Sequence, residues 1–440
     1  MLIDLSSRAS ARAPRNPNAE FRTSDFGLRT SFGPRSSDFG FACVRLLLNQ
    51  GLRQSLGLAR LVLAAAVLYA AAMSAKAAAA NQSMRVYVGT YTGAKSQGVY
   101  VCQFDTASGK LSAPELAAAT KNPSFLALHP NGRFLYAVSE MDNFAGQRTG
   151  ALSAFRLEAS TGKLTLLDQQ PSGGAGPCHV AVDRTGRCAL AANYGSGSIA
   201  ALPIGEDGRL AAPTTCIQHH GSSVNPQRQA GPRAHFITAD PANRFALACD
   251  LGLDKVLVYH LDPAKSALAA NEPPAVSIKP GSGPRHLAFH PNGRFAYLIN
   301  EIAATVTVLA YDATRGALAE VQTIPTLPEY FQGNRSGAEV QVHPSGKFVY
   351  GSNRGHDSIA MFSVEQRTGK LTCLGYQSTQ GKTPRYFALD PTGQWLLAEN
   401  QDSDNIVVFR IDAATGRLTP AGQTIQVGSP VCAVFAPGKP

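Results

Sequence analysis

Long hydrophobic runs are missing from this 440-residue chain. The longest, Leu61 to Met73, has thirteen mostly Ala, Leu and Val residues. That is short of the roughly 20 a helix needs to cross about 30 Å of hydrocarbon, so no stable membrane span is expected. The eight cysteines form no CxxC pair and no Cys/His cluster at zinc spacing, which argues against a structural metal site. There is no GxSxG, HExxH or P-loop, and GSGSIA (195–200) reads as a hairpin with no helix after it. Helical periodicity is absent throughout. Charge is sparse at 16%, and 44% hydrophobic residues exclude a disordered chain.

The charge that is present is unevenly spread. Residues 1–83 hold nine Arg and Lys76 against Asp4, Glu20, Asp25 and Asp38, which is +6 of the total +10. Residues 84–440 carry 30 basic and 26 acidic side chains, a net of +4, so a nucleic-acid partner loses its main support. Within the leader, Arg60 precedes the apolar core 61–73, and Ser74-Ala75-Lys76-Ala77 follows. A basic flank, a short apolar core and small residues are the pattern of a Sec-type signal peptide, and the chain is expected to be exported to the periplasm. Two other readings fit the same residues: a misassigned start, or a disordered tail on a cytoplasmic protein. Cys102, Cys249 and Cys432 lie in apolar strand-like runs and read as buried free thiols. Cys178 and Cys188 could pair only in an exported chain.

Internal repetition organises the rest. LALHPNGRFLYAVSE (126–140) returns at 287–301, 340–354 and 387–401, with degenerate copies at 180–194 and 236–250. The turn glycines Gly132, Gly186, Gly293, Gly346 and Gly393 are 54, 107, 53 and 47 residues apart, and Asn243 takes the glycine's place inside the double interval. Each copy reads as a short strand, a Pro-x-Gly turn, a second strand rich in Tyr, Phe and Val, a third such as TVTVLAYD (305–312), and a weaker fourth. Four antiparallel strands per repeat define a propeller blade. The segment PVCAVFAPGK (430–439) supplies a first strand, and MRVYVGTYT (84–92) supplies the second strand to follow it. The expectation is therefore an all-β, seven-bladed propeller over 84–440, about 51 residues per blade, closed by pairing N- and C-terminal strands in one blade.

Strand direction separates the two ends of such a barrel. The HPNG, HPSG and DPTG turns lie at one end, where His129, His290 and His343 read as turn residues. Residues preceding first strands and ending second strands gather at the other. That end collects Glu140, His179, Asn193, Tyr194, Arg233, His235, Asp250, Arg285, His286, Asn300, Glu301, Asn353, Arg354, Arg385, Tyr386, Glu399 and Asn400. Such a ring of charge is costly to desolvate, which points to a polar pocket for a small anion held by guanidiniums, although several members could be inter-blade ion pairs.

Several motifs carry a resemblance: Leu251-Gly252-Leu253-Asp254 after Asp250, Gly283-Pro284-Arg285-His286, the Asn300-Glu301 strand end, Ser352 to Ile359, and GSSVNPQRQ (221–229). Together they resemble the bacterial seven-bladed propeller lactonases, which include the propeller-type 6-phosphogluconolactonase and are related to the fungal carboxymuconate cyclase. The resemblance spans 84–440. It implies His235, Arg285, Glu301 and Arg354 as catalytic residues, with Arg233, Asp250, His286, Asn300, Asn353, Arg385, His179 and Asn193 as substrate-binding candidates. Arg233 departs from the family's usual Pro-His-x-His pattern.

The activity so implied is hydrolysis of a sugar lactone, with 6-phospho-D-glucono-1,5-lactone as the family's substrate in a pentose phosphate type of step. Glu301 or His235 would activate a water, while Arg285 and Arg354 would hold the substrate anion and the oxyanion. No metal or cofactor is required. Two alternatives stay open: an exported lactonase or cycloisomerase acting on an unphosphorylated lactone or dicarboxylate, and a non-catalytic propeller that binds a ligand or protein across the same face.

Overall fold

The six interior repeats fold as expected because each supplies a residue that tolerates positive φ at its first turn. Gly132, Gly186, Gly293, Gly346 and Gly393 have φ between 68° and 75°, and Asn243 sits at φ 59° where the pattern lacks glycine. Asparagine is among the few other residues that adopt this conformation readily. The computed structural model describes residues 83–437, and the leader with its apolar run lies outside the described residues.

Blade 1 is assembled from both ends of the chain. Pro430–Pro437 pairs antiparallel with Ser83–Thr90, which pairs with Gly98–Asp105; Lys110–Leu111 and Glu115–Ala119 complete the sheet. The seam places Tyr87 opposite Val434 and Val86 opposite Phe435. Blade 2 begins at Leu126–Leu128, blade 3 at Pro177–Val182, blade 4 at Ala234–Ala239, blade 5 at Pro284–Phe289, blade 6 at Ser336–Val342 and blade 7 at Pro384–Leu389, each a four-stranded antiparallel sheet. These first strands of neighbouring blades lie against one another around the central axis. Among the described residues the only helical segment is the 3-10 turn Gln401–Ser403.

Second strands are buried along their whole length, as in Phe134–Ser139, Phe245–Asp250 and Phe295–Asn300, because they are paired on both edges and packed on both faces. Fourth strands, such as Leu164–Pro171, are half-exposed at the rim. Seven apolar clusters fill the blade interfaces.

The histidines of the repeated turns tie each blade to the next. His290 Nδ1 accepts from the Asn292 amide at 3.1 Å, which leaves Nε2–H to donate to the Gly346 carbonyl of blade 6 at 2.9 Å. His129 bonds to Gly186 and His343 to Gly393 in the same manner. The hydroxyls of Tyr87, Tyr136, Tyr297 and Tyr350 make a second set of cross-blade bonds, to Gly162, Gly208, Gly369 and Gly416 carbonyls. All seven described cysteines are free thiols, with Cys178 and Cys188 buried separately.

Candidate active site

At the end of the barrel away from those turns, a cavity of about 260 Å³ opens on the axis. Its walls come from residues at or just past second-strand ends (Tyr91, Glu140, Tyr194, Glu301, Arg354), first-strand starts (Cys178, His235, Arg385), and the connection carrying Arg228. The blade design explains the mixture, since second strands end and first strands begin at this mouth.

Glu301 is the electrostatic centre. Its Oε2 accepts from Arg285 Nε at 3.1 Å and Arg354 Nη2 at 2.9 Å, and its Oε1 accepts from Arg228 Nη2 at 2.5 Å. Burial alone would raise the pKa of this carboxyl. The guanidiniums of Arg354 and Arg285, with His235 and Arg228, override burial and hold it far below the carboxylate range. Glu301 is therefore ionised but weakly basic, its lone pairs already occupied.

His235 is a neutral imidazole in the cavity wall. Burial, reinforced by Arg285, pushes the imidazole well below its ordinary value of 6.5. Nδ1 is buried without a hydrogen-bond partner, which leaves Nε2 on the cavity side. Cys178 Sγ contacts the His235 carbonyl at 3.3 Å, and burial pushes that thiol far up, so it is no nucleophile.

Arg385 contributes a guanidinium set 5.4 Å from the centre of the Tyr91 ring. Tyr91 in turn donates to Glu140 Oε2 at 2.9 Å, and Ser124 donates to the same oxygen. Among the described residues the guanidinium of Arg385 forms no ion pair. It is a cation whose donors face the cavity.

The other expected site residues are placed differently. Arg285 lies behind Glu301, 1% exposed, with Nη1 donating to the Ala338 carbonyl at 2.6 Å, so it backs the cavity without lining it. Asn193, Asn300 and Asn353 close their own blades, donating to Ser198, Thr305 and Ser358 of the following strand. Asp250 accepts from His219 Nδ1 at 2.7 Å and from the Arg233 and Gly252 amides. These four lie outside the cavity lining and bond within or beside their own blades, although the Oδ1 atoms of Asn193 and Asn300 are buried without a hydrogen-bond partner. Arg233 stacks on Tyr194 at 5.4 Å outside the cavity lining. His179 is sandwiched between Phe125 and Phe236, at 4.1 and 4.2 Å, and burial pushes it down to about 3. His286 lies deeper on the axis, bound to Glu339 at 2.6 Å.

Sequence reasoning missed Arg228 and Tyr91. Tyr91 follows its second strand as Glu140, Tyr194 and Glu301 follow theirs, so the blade register carried a signal for it, whereas Arg228 has no counterpart in other repeats. The available signal for Arg228 was the long connection between Thr215–Gln218 and Ala234–Ala239. Among the described residues no group of three His, Cys, Asp or Glu side chains has the arrangement of a metal site.

A closed seven-bladed ring with a small, cation-rich polar cavity on its axis is the architecture of a propeller enzyme acting on a small molecule. The family described as "Lactonase, 7-bladed beta-propeller" matches residues 85–435, and this chain belongs to it. It is a lactone hydrolase by that membership. A 6-phosphogluconolactonase of Bacillus subtilis is 40% identical over 304 residues, covering 69% of this chain and 84% of that protein. One from Formosa agariphila is 34% identical over 309 residues, covering 69% and 86%. The solved structure of a periplasmic gluconolactonase from Pseudomonas aeruginosa superposes with a TM-score of 0.76 at 35% identity, covering 80% of this chain and 99% of that one. The binding-module alternative gives way to this family membership.

Proposed function

We propose that the enzyme hydrolyses 6-phospho-D-glucono-1,5-lactone to 6-phosphogluconate. The observation that carries this reading is the surplus of cations in the cavity. Arg228, Arg354 and Arg385 line it against two carboxylates, Glu140 and Glu301, and Arg285 adds a fourth guanidinium immediately behind. A neutral lactone gives that excess nothing to bind, whereas a phosphate accepts charge-assisted bonds from several guanidiniums.

In the proposed mechanism Arg228 and Arg385 hold the phosphate. His235 Nε2 takes a proton from water as its oxygen attacks the lactone carbonyl. Arg354, oriented by Glu301 and by its bond to the Gly337 carbonyl at 3.2 Å, stabilises the developing oxyanion. Collapse breaks the ring C–O bond, and His235 returns the proton to the departing ring oxygen. Glu301 orients and charge-balances the arginines; with its lone pairs taken it is a poorer base than His235.

The test compares kcat/KM of the purified propeller on fresh phosphorylated and unphosphorylated gluconolactone. A preference of about 100-fold for the phosphorylated form is expected, worth about 2.7 kcal/mol of charged hydrogen bonding. Equal rates would sink the reading. The second reading is the unphosphorylated gluconolactone itself, favoured by the similarity to the Pseudomonas periplasmic gluconolactonase and by the signal-like run after Arg60. Export to the periplasm belongs with that reading, because phosphorylated sugar lactones arise in the cytoplasm.

A further inference from the structure

Two imidazoles meet behind the cavity wall. His235 and His286 lie 5.1 Å apart, centre to centre, at an interplanar angle of 61°. The Nδ1 of His235 and the Nε2 of His286 are both buried and both without a hydrogen-bond partner. On its other side His286 Nδ1 meets Glu339 Oε2 at 2.6 Å. Two unsatisfied nitrogens on touching rings are costly unless they serve one another, either directly after a small ring rotation or through one bridging water.

We propose that Glu339, His286 and His235 form a proton relay in which Glu339 is the final acceptor of the proton drawn from the attacking water. The proposal rests on His235 being the base of the reaction. In the receptive state Glu339 is ionised, His286 carries its proton on Nδ1 and His235 carries its proton on Nδ1, leaving His235 Nε2 bare toward the cavity. As water attacks, its proton bonds to His235 Nε2; the Nδ1 proton of His235 passes to His286 Nε2; the Nδ1 proton of His286 passes to Glu339. One proton has entered, both rings have exchanged tautomers, and the charge lost is that of the carboxylate. No imidazolium forms. Reversal of the same transfers delivers the proton to the departing ring oxygen.

The surroundings favour this route. Arg285 and Arg385 face His286 along with His179 and His235, and burial with these neighbours makes an imidazolium there unfavourable. His235 is disfavoured as a cation for the same reason. Glu339 is the group able to take the proton: burial pushes its carboxyl up to about 8 despite the pull of Arg285. Tyr386 and Glu399 face Glu339 from blade 7 and Cys432 from blade 1, and burial pushes each of them up, so they remain uncharged beside it.

The experiment is the pH dependence of kcat/KM for the wild type, Glu339→Gln and His235→Gln. In the wild type activity should rise with pH through a limb near Glu339's elevated pKa. Glu339→Gln should lose about 10-fold to 100-fold in kcat, part of the roughly 10²–10⁴ that a positioned base contributes, with KM nearly unchanged and that limb abolished. A Glu339→Gln enzyme with the wild-type limb and rate overturns the relay. If instead His235→Gln is fully active, the underlying choice of base is wrong. Should Glu339→Gln not fold, ¹⁵N imidazole spectra of the wild type decide: His235 and His286 should switch tautomers together across the limb, and independent protonation to imidazolium overturns the proposal.

Discussion

Arg354 and Glu301 belong to adjacent blades and meet at 2.9 Å across the boundary between blades 6 and 5. Every guanidinium that reaches Glu301 except that of Arg285 comes from a different blade, so this carboxylate joins the ring at the cavity as the turn histidines do at the other end. Replacing it with Gln leaves buried cations unpaired, and the expected destabilisation is about 3–5 kcal/mol by denaturant unfolding, together with loss of turnover. The sign with pH follows from its depressed pKa. The ion-pair stabilisation is present above the ordinary carboxyl value of 4.5 and is lost as pH falls below it. Melting curves for Glu301→Gln should therefore depend less steeply on pH in the acid range than those of the wild type.

Arg228 should set substrate preference. Its side chain is 43% exposed while it reaches Glu301, so it can exchange that partner for a substrate phosphate at modest cost. Arg228→Gln should lower kcat/KM for the phosphorylated lactone about 10-fold and leave the unphosphorylated lactone nearly unaffected. Equal losses on both would show that Arg228 only supports Glu301.

His290→Ala removes a cross-blade bond far from the cavity. A cost of about 1 kcal/mol is expected, because one buried cross-blade bond is lost while the Gly346 carbonyl keeps the Gln366 Nε2 donor at 2.9 Å. The rate per folded molecule should stay at the wild-type value. A stability unchanged within error would mean that the histidines only shape their own turns.

Export has a direct readout. If the leader is processed after Ala77, the native protein isolated from the periplasm begins at Ala78. A cytoplasmic protein retaining residues before 61 would contradict export.

The seven-blade count was legible because a turn residue must tolerate positive φ, and that requirement recurs at a fixed interval; Asn243 shows that the requirement, not the residue type, is what repeats. At the site the same recurrence fixes which end of the barrel a residue occupies, not whether it reaches the cavity. Asn193, Asn300 and Asn353 end second strands at the right face and donate to the next strand of their own blades, whereas Glu140 and Glu301, each just past a second strand, line the cavity. His235, Glu301 and Arg354 do line the cavity, whereas Arg285 stands behind it, since sequence position fixes which end of a strand a residue occupies and not its depth. Arg228 was hidden because a loop without a counterpart has no pattern to break.

Blade 1 ties the closing seam of the ring to the cavity wall. Tyr91 follows directly on the strand Ser83–Thr90, and its amide donates to the Ser429 carbonyl at 3.1 Å beside the last strand. One wall of the cavity is thus held from two sides, by Glu140 of blade 2 and by the backbone beside the last strand. The pairing that closes the ring at Pro430–Pro437 and the placement of Tyr91 in the cavity wall are therefore one structural event.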